Sequence, residues 1–258
     1  MTTMHMQILT VPAWEKATTL LHGFVGRNGG NSIGSYAGLN ASYRVGDDPK
    51  VVSQNVCDLK LAVGIHDGRI VTMKQIHGDD IVEVHDTKLK EAGEADGMIT
   101  ATPGIFLGVL TADCVPILFV APQTKVVAAV HAGWRGTLAG IAEKAVRRLG
   151  QDYGANLREI EVALGPAIGG CCYEVGPDVL QPMRGRWGNL AETAIRENAG
   201  KSFIDLRAIN RGILEAAGVP GSQIQQVGPC TCCSEEYFSY RREGAETGRQ
   251  MSVIGWRN

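Results

Sequence analysis

V-L-T-A-D-C-V-P-I-L-F-V-A-P-Q-T-K-V-V-A-A-V-H-A-G-W-R-G-T-L, residues Val109 to Leu138, carries two apolar runs, and each ends at or flanks a residue able to bind a soft or borderline metal. Cys114 follows Thr111-Ala112-Asp113, and His131 closes the run Val126-Val127-Ala128-Ala129-Val130. Apolar runs of this length read as buried strands, so both side chains lie at strand ends, held rigidly yet able to face a cleft. Directly beyond His131, Gly133-Trp134-Arg135-Gly136 reads as the opening of a helix. A cationic side chain and free backbone N–H groups meet there, which makes an anion site.

Around this stretch the chain has 258 residues, enough to bury about three quarters of its unfolded surface without staples. With no repeat, linker or low-complexity segment, residues 1–258 read as one domain. A net charge of -2 with 20% charged residues argues against a nucleic-acid surface built on basicity, so small neutral or anionic ligands are expected. The start, M-T-T-M-H-M-Q-I-L-T-V-P, lacks a basic segment before a long apolar core, and no run of eighteen apolar residues follows. A cytoplasmic protein with no membrane partner is expected, as a monomer or homodimer. The seven cysteines, an odd number, read as reduced thiols rather than a disulfide framework.

Upstream, Gln7 to Val11 and His22 to Val25 read as strands, and the glycine- and asparagine-rich residues 26–38 as a long loop, a kind of segment that is often functional. Asp48 is placed to cap a helix with Pro49 at its first position, and apolar residues at 51, 52, 56, 59 and 63 share one helical face. Val71–Ile76 and Ile81–Val84 are predicted to pair as a hairpin with His77 at its turn. Ala95 to Thr100 and Gly104 to Leu110 lead into the central stretch. Beyond it, Thr137 to Leu149 reads as an amphipathic helix, Ile160 to Leu164 as a short strand, and residues 165–176 as a second glycine-rich loop before a helix starting at Pro177. A helix from Asp205 to Ala217 has an acidic start and Gly218 past its end. Gln223 to Val227 and Met251 to Ile254 complete the strands.

His77, Cys114 and His131 stand 37 and 17 residues apart, far from the short spacings of structural zinc sites. Three ligands suit a catalytic zinc that keeps a fourth position open. The same residues also fit a turn histidine, a small buried thiol and a satisfied strand-end histidine, or a Cys114 thiolate nucleophile with either histidine as base. Asp113 is a candidate proton carrier or acceptor beside the thiol, or a strand-end cap. Arg44 and Arg135 neighbour glycines in loop-to-helix settings that suit phosphate, although surface arginine is the ordinary alternative. His5, His22, His66 and His85 have no partner pattern. Cys230-Thr231-Cys232-Cys233 contains C-x-x-C and could join Cys171-Cys172 as four thiolates, but the adjacent pair departs from a second C-x-x-C.

The motifs taken together carry a resemblance. L-N-A-S-Y-R-V-G-D-D-P at 39–49, K-Q-I-H-G at 74–78, A-D-G-M-I-T at 95–100, T-A-D-C-V-P-I at 111–117, V-H-A-G-W-R-G-T at 130–137, G-P-A-I-G-G-C-C-Y-E-V-G at 165–176, F-I-D-L-R-A-I-N at 203–210 and F-S-Y-R-R-E-G-A-E-T-G-R-Q at 238–250 span nearly the whole chain. They resemble the laccase-domain, polyphenol-oxidase-like family of zinc-binding purine nucleoside phosphorylases, also called peptidoglycan editing factors. Gly170 stands where many relatives would have proline.

The resemblance implies an α+β fold layered α/β/β/α and shared with cysteine-hydrolase-like toxin domains. It also implies a zinc ion on His77, Cys114 and His131, and a purine nucleoside with phosphate as substrates, contacted by Asn40, Arg44, Gln75 and Arg135. Similar proteins are credited with phosphorolysis of adenosine, inosine, guanosine and methylthioadenosine, with adenosine deamination, and formerly with phenol oxidation. Phosphorolysis needs an anion pocket and charge stabilisation, whereas deamination needs a metal-activated water and a proton shuttle. A polyphenol oxidase would need several copper centres and more than six histidines. Two further readings stand: a cysteine hydrolase that removes a wrongly incorporated amino acid from a cell-wall precursor, and a non-catalytic nucleotide sensor.

Overall fold

The run ending at His131 and the run after Cys114 become neighbouring strands at the middle of a sheet, in a computed structural model that describes residues 6–258. His5 lies outside the described residues. In chain order the first elements are β1 (Ile8–Leu9), β2 (Leu20–Val25), α1 (Pro49–Ala62), β3 (Arg69–Lys74), β4 (Ile81–Glu83), β5 (Glu91–Glu94) and β6 (Gly97–Thr100). The central stretch supplies β7 (Ile105–Thr111), β8 (Val115–Ala121), β9 (Val126–Ala132), α2 (Trp134–Ala139) and α3 (Ile141–Tyr153). Then follow β10 (Glu161–Leu164), β11 (Glu174–Val175), α4 (Pro177–Trp187), α5 (Asn189–Ala194), β12 (Ile195–Asn198) and β13 (Lys201–Ile204). The chain closes with α6 (Leu206–Ala216), β14 (Ile224–Gln226), α7 (Tyr240–Glu243) and β15 (Gln250–Trp256).

Two six-stranded sheets form the interior, ordered β1-β2-β15-β7-β3-β5 and β14-β10-β8-β9-β6-β4, with a small third sheet β11-β13-β12 beside them. Along β8 and β9 successive side chains enter different cores, which is why both read as unbroken apolar runs. Ile117, Phe119, Ala128 and Val130 pack outward against α3 and α6. Leu118, Val120, Val127 and Ala129 pack inward against Val71, Leu107 and Val109 of the facing sheet. The outer face of that sheet is covered by α1 through Leu59, with Val25 and Met251. The observed layers are therefore helix, sheet, sheet, helices, a mixed α/β arrangement. Among the described residues no helix is long and apolar enough to cross a membrane.

Local chemistry explains the helix ends. The Asp48 carboxylate accepts from Lys50 N ahead of Pro49, and Asp205 accepts from the Arg207 and Ala208 amides at the start of α6. Two sequence expectations are corrected. The predicted helix over Thr137 to Leu149 is two helices, broken at Gly140, whose φ of 85° only glycine adopts without strain. The predicted hairpin around His77 does not form: β3 pairs in parallel with β7 and β5, while β4 pairs in parallel with β6 in the other sheet. The intervening residues cross between sheets, and side chains take the place of strand partners for the backbone groups there. Gln75 exchanges two hydrogen bonds with the Leu110 backbone, at 2.8 and 2.9 Å.

Of the remaining histidines, His66 and His85 are exposed and His22 is buried. Nε2 of His22 accepts from the Val11 amide at 2.8 Å and the ring meets Trp14 edge-on, so the neutral form is required. Burial, against a weaker opposing pull from Glu15, lowers its pKa from 6.5 to about 4. Above 6.5 the ring is neutral folded or unfolded; below that, the unfolded chain takes up a proton that the folded chain resists. Stability from this group is thus lost as pH falls from 6.5 towards 4, by up to about 3 kcal/mol. Urea denaturation at stepped pH should show that loss, and His22→Gln should flatten it.

Candidate active site

The trio converges where the two sheets meet. His77 leaves the end of β3, Cys114 sits in the short link between β7 and β8, and His131 lies in β9, with Pro116 of β8 as its cross-strand partner. Their ligand atoms all lie within 4.8 Å of one another, and the two imidazoles meet edge to face at 4.8 Å between centroids. Gly133 makes room for this. A Cβ there would stand 3.1 Å from Cys114 Sγ and 3.2 Å from His77 Cδ2, tighter than ordinary contact.

The residue that assembles the trio is Asp96, which the motif at 95–100 contained but sequence reasoning did not single out. Its fully buried carboxylate accepts from the amides of Ile76 (3.1 Å), His77 (3.0 Å) and Gly78 (2.6 Å), and Oδ1 lies 2.7 Å from Nδ1 of His131. One side chain thereby fixes the loop from one sheet and the imidazole of the other. It also holds His77 at a φ of 61°, a left-handed conformation uncommon outside glycine. Burial would raise the Asp96 pKa, but the hydrogen bond and charge of His131 and the loop amides outweigh it and hold it below the ordinary carboxylate range. The ring is oriented with Nε2 left for a ligand, the usual carboxylate–histidine arrangement of metal sites.

Charge separates along the same line. Burial would raise the Cys114 thiol, but His131 and His77 outweigh it and bring the pKa down to about 6. Burial would lower His131, but the Cys114 thiolate and the Asp96 hydrogen bond raise it to about 9. Two imidazoles, a thiolate and a carboxylate behind one imidazole fit a tetrahedral divalent ion with an open position. They equally fit a thiolate nucleophile with an oriented base.

The trio opens into a cavity of about 610 Å³, large enough for a drug-sized ligand. Four arginines line it, Arg44, Arg135, Arg241 and Arg249, against one carboxylate, Asp113. Arg135 stacks on Trp134 and has no carboxylate partner among the described residues. Arg241 and Arg249, from the tail, were not anticipated; the only available signal was the arginine-rich stretch after Phe238. Of the anticipated residues, Gln75 and Arg44 reach the wall, although Arg44 is drawn to Glu91 at 2.7 Å. Asp113 does so too, with its carboxylate committed to Thr231 Oγ1 and the Arg241 amide, each at 2.6 Å. Asn40 is not brought there. It is fully buried and braces Ser42, Asp47 and the Arg249 amide, so it acts on the cavity through the loop that carries Arg249.

Comparison with known proteins shows what the whole chain resembles. The family model described as multi-copper polyphenol oxidoreductase laccase matches residues 21–257. The chain is 38% identical to a purine nucleoside phosphorylase of Deinococcus radiodurans, over 91% of this chain and 88% of the relative. It is 37% identical to adenosine deaminase RL5 from an unknown prokaryotic organism, over 85% and 87% of the two chains. The crystal structure of the hypothetical protein YfiH from Bacillus licheniformis superimposes with a TM-score of 0.90 at 33% identity, covering 97% of this chain and 96% of that one.

Two outcomes follow from the geometry. In metal-free protein, iodoacetamide should modify Cys114 half-maximally near pH 6, thiolate forming as pH rises through that value, with Cys114→Ser identifying the signal among the other thiols. Asp96→Asn should weaken metal affinity by about 10- to 100-fold in chelator competition, because His131 loses the partner that orients it.

Proposed function

Because the chain belongs to the family described as multi-copper polyphenol oxidoreductase laccase, whose relatives include proteins named purine nucleoside phosphorylase and adenosine deaminase, we propose that it is a zinc-binding purine nucleoside phosphorylase with adenosine deaminase activity. Adenosine, inosine, guanosine and methylthioadenosine are the proposed substrates, with phosphate. The observation that carries the reading is one cavity in which the His77, Cys114 and His131 donor set faces the carboxylate-free guanidinium of Arg135. Held by the trio, zinc would supply a Lewis acid next to the substrate.

The chain's own groups do the rest. Arg135 and Arg241 present planar guanidinium forks, which suit the oxygens of phosphate, while the net positive wall favours the dianion over a neutral competitor. Bringing phosphate and ribose into one cavity converts a bimolecular attack into an oriented one. Trp134 and Tyr173 offer aromatic faces for a purine, while Asp113 holds the tail loop that carries Arg241 against the cavity. The copper chemistry in the family description finds little support, since His77 and His131 are the only histidines lining the cavity.

A second reading is favoured by a specific observation, the continuous line Cys114, His131, Asp96. A thiolate with an imidazole held by a carboxylate is the arrangement of a cysteine hydrolase, here acting on a wrongly incorporated amino acid in a cell-wall precursor. Zinc on Cys114 would block that nucleophile, so the metal-free protein separates the two.

Incubation of the zinc-loaded protein with adenosine, with and without phosphate, should yield ribose-1-phosphate and adenine in the first case and inosine in both. His77→Ala should lower turnover by about 10²- to 10³-fold. Arg135→Ala should raise the KM for phosphate by about 10- to 100-fold, the loss expected for hydrogen bonds to a charged group. Absence of both products would end the purine reading, and a Cys114 adduct formed only without metal would support the hydrolase.

A further inference from the structure

Outside the cavity, Cys171, Cys172, Cys230 and Cys233 come together with all four sulfurs within 4.8 Å of one another. We propose that these thiolates bind a second zinc ion, a structural one that fastens the loop at 169–173 to the loop at 230–233. The site is independent of the purine reading and stands or falls separately from it.

The distances suit a metal. A zinc ion with four sulfurs at about 2.3 Å sets sulfur-to-sulfur edges of about 3.8 Å. Here Cys172 and Cys233 stand 3.3 Å apart and Cys171 and Cys233 3.6 Å, with no pair beyond 4.8 Å. Four sulfurs at such edges select zinc or iron over the harder cations that prefer oxygen. Cys230 and Cys233 have the C-x-x-C spacing common in zinc sites, and the adjacent pair completes the set from the other loop. Cys171 and Cys233 are exposed, so an ion has a way in. The sulfurs are also presented by an ordered backbone: the Gly169 amide donates to Cys230 Sγ at 3.2 Å, and Ala167 and Cys230 form a β-bridge.

Charge supplies the second, independent argument. Arg207 is 6% exposed, has no carboxylate partner among the described residues, and leaves Nε buried without a hydrogen-bond acceptor. A buried guanidinium without a counter-charge is strongly unfavourable. Its Nη2 lies 3.7 Å from the point where a Gly169 Cβ would be, and Cys171 Sγ lies 3.3 Å from the same point. Arg196 donates to Gly170 O and Arg241 to Cys172 O, so two more guanidiniums face the cysteine loops. One zinc with four thiolates carries a charge of -2, opposite in sign to the guanidiniums beside these loops. The ion would matter to the cavity by position: Tyr173 follows Cys172, and Thr231, between two of the cluster's cysteines, holds Asp113.

The test is zinc content of the full chain, purified under a non-thiol reductant. The native protein should hold two zinc ions per chain, His77→Ala/Cys114→Ser one, and Cys230→Ser/Cys233→Ser one. Cobalt added to zinc-stripped His77→Ala/Cys114→Ser should give the intense sulfur-to-metal charge-transfer and visible bands of a tetrahedral thiolate site. Equal zinc content in the native protein and the Cys230→Ser/Cys233→Ser variant would overturn the proposal, as would a colourless cobalt titration. A disulfide among the four under reductant, seen as loss of two hydrogens by mass, would overturn it too. The two variants are read separately, so misfolding of one leaves the other decisive.

Discussion

The carboxylate of Asp96 is the constraint on which the site depends. A buried backbone N–H left without a partner costs about 1–3 kcal/mol. The crossing segment after β3 has three such groups that no neighbouring strand can take. Asp96 accepts all three and the His131 imidazole as well, so the loop between the sheets is fixed by a side chain instead of a ladder. The left-handed backbone at His77, which would cost about 1–3 kcal/mol on its own, persists because the amides on either side are committed. A carboxylic acid could not do this, since its proton would compete with the amides for the same oxygens. The low pKa of Asp96 is therefore part of the architecture as well as of the chemistry.

From that anchor the placement of the trio follows. His77 comes from one sheet, His131 from the other, and Cys114 from the link that joins them, so the three meet only where the sheets are packed in register. The apolar layer behind them, Leu118, Val127 and Ala129 against Leu107 and Val109, holds that register. A cavity-forming substitution in this layer would act on the site at a distance, because a shift of one sheet moves one imidazole relative to the other. Gly133 leaves the sulfur and the His77 ring the space that a Cβ would occupy.

Much of this was legible in the sequence. Val115 to Ala121 and Val126 to Ala132 read as strands because both of their faces are buried, which removes the polar alternation of a surface strand. The caps at Asp48 and Asp205 were legible because carboxylate, position and following residues agree. Asp96 was not, since an Asp-Gly pair before a short apolar run looks like a turn, and its partners lie 18 to 35 residues away. The hairpin expectation failed for a related reason: two strands with a polar link look alike whether they pair with each other or enter different sheets. The break at Gly140 is not legible because one glycine inside a helical pattern is ordinarily tolerated, and only its positive φ marks it. Arg241 and Arg249 belong to a tail whose fold is set by long-range contacts, as is Asn40, whose polar side chain is spent inside the loop.

The metal and nucleophile readings of the trio are two occupancies of the same electrostatic design. Without metal, Asp96 and Cys114 stabilise a proton on His131, and that proton in turn stabilises the thiolate. On the proposed reading His77, Cys114 and His131 would hold a divalent ion in place of that proton, and the two negative charges that favour imidazolium would favour the ion as well. The arginine wall acts the other way on any cation entering through the cavity, and it attracts the anion that would sit opposite. Proton and metal would therefore compete for His131, and the outcome would depend on how firmly Asp96 holds the ring through Nδ1. That geometry decides whether Cys114 spends its charge as a ligand or as a nucleophile.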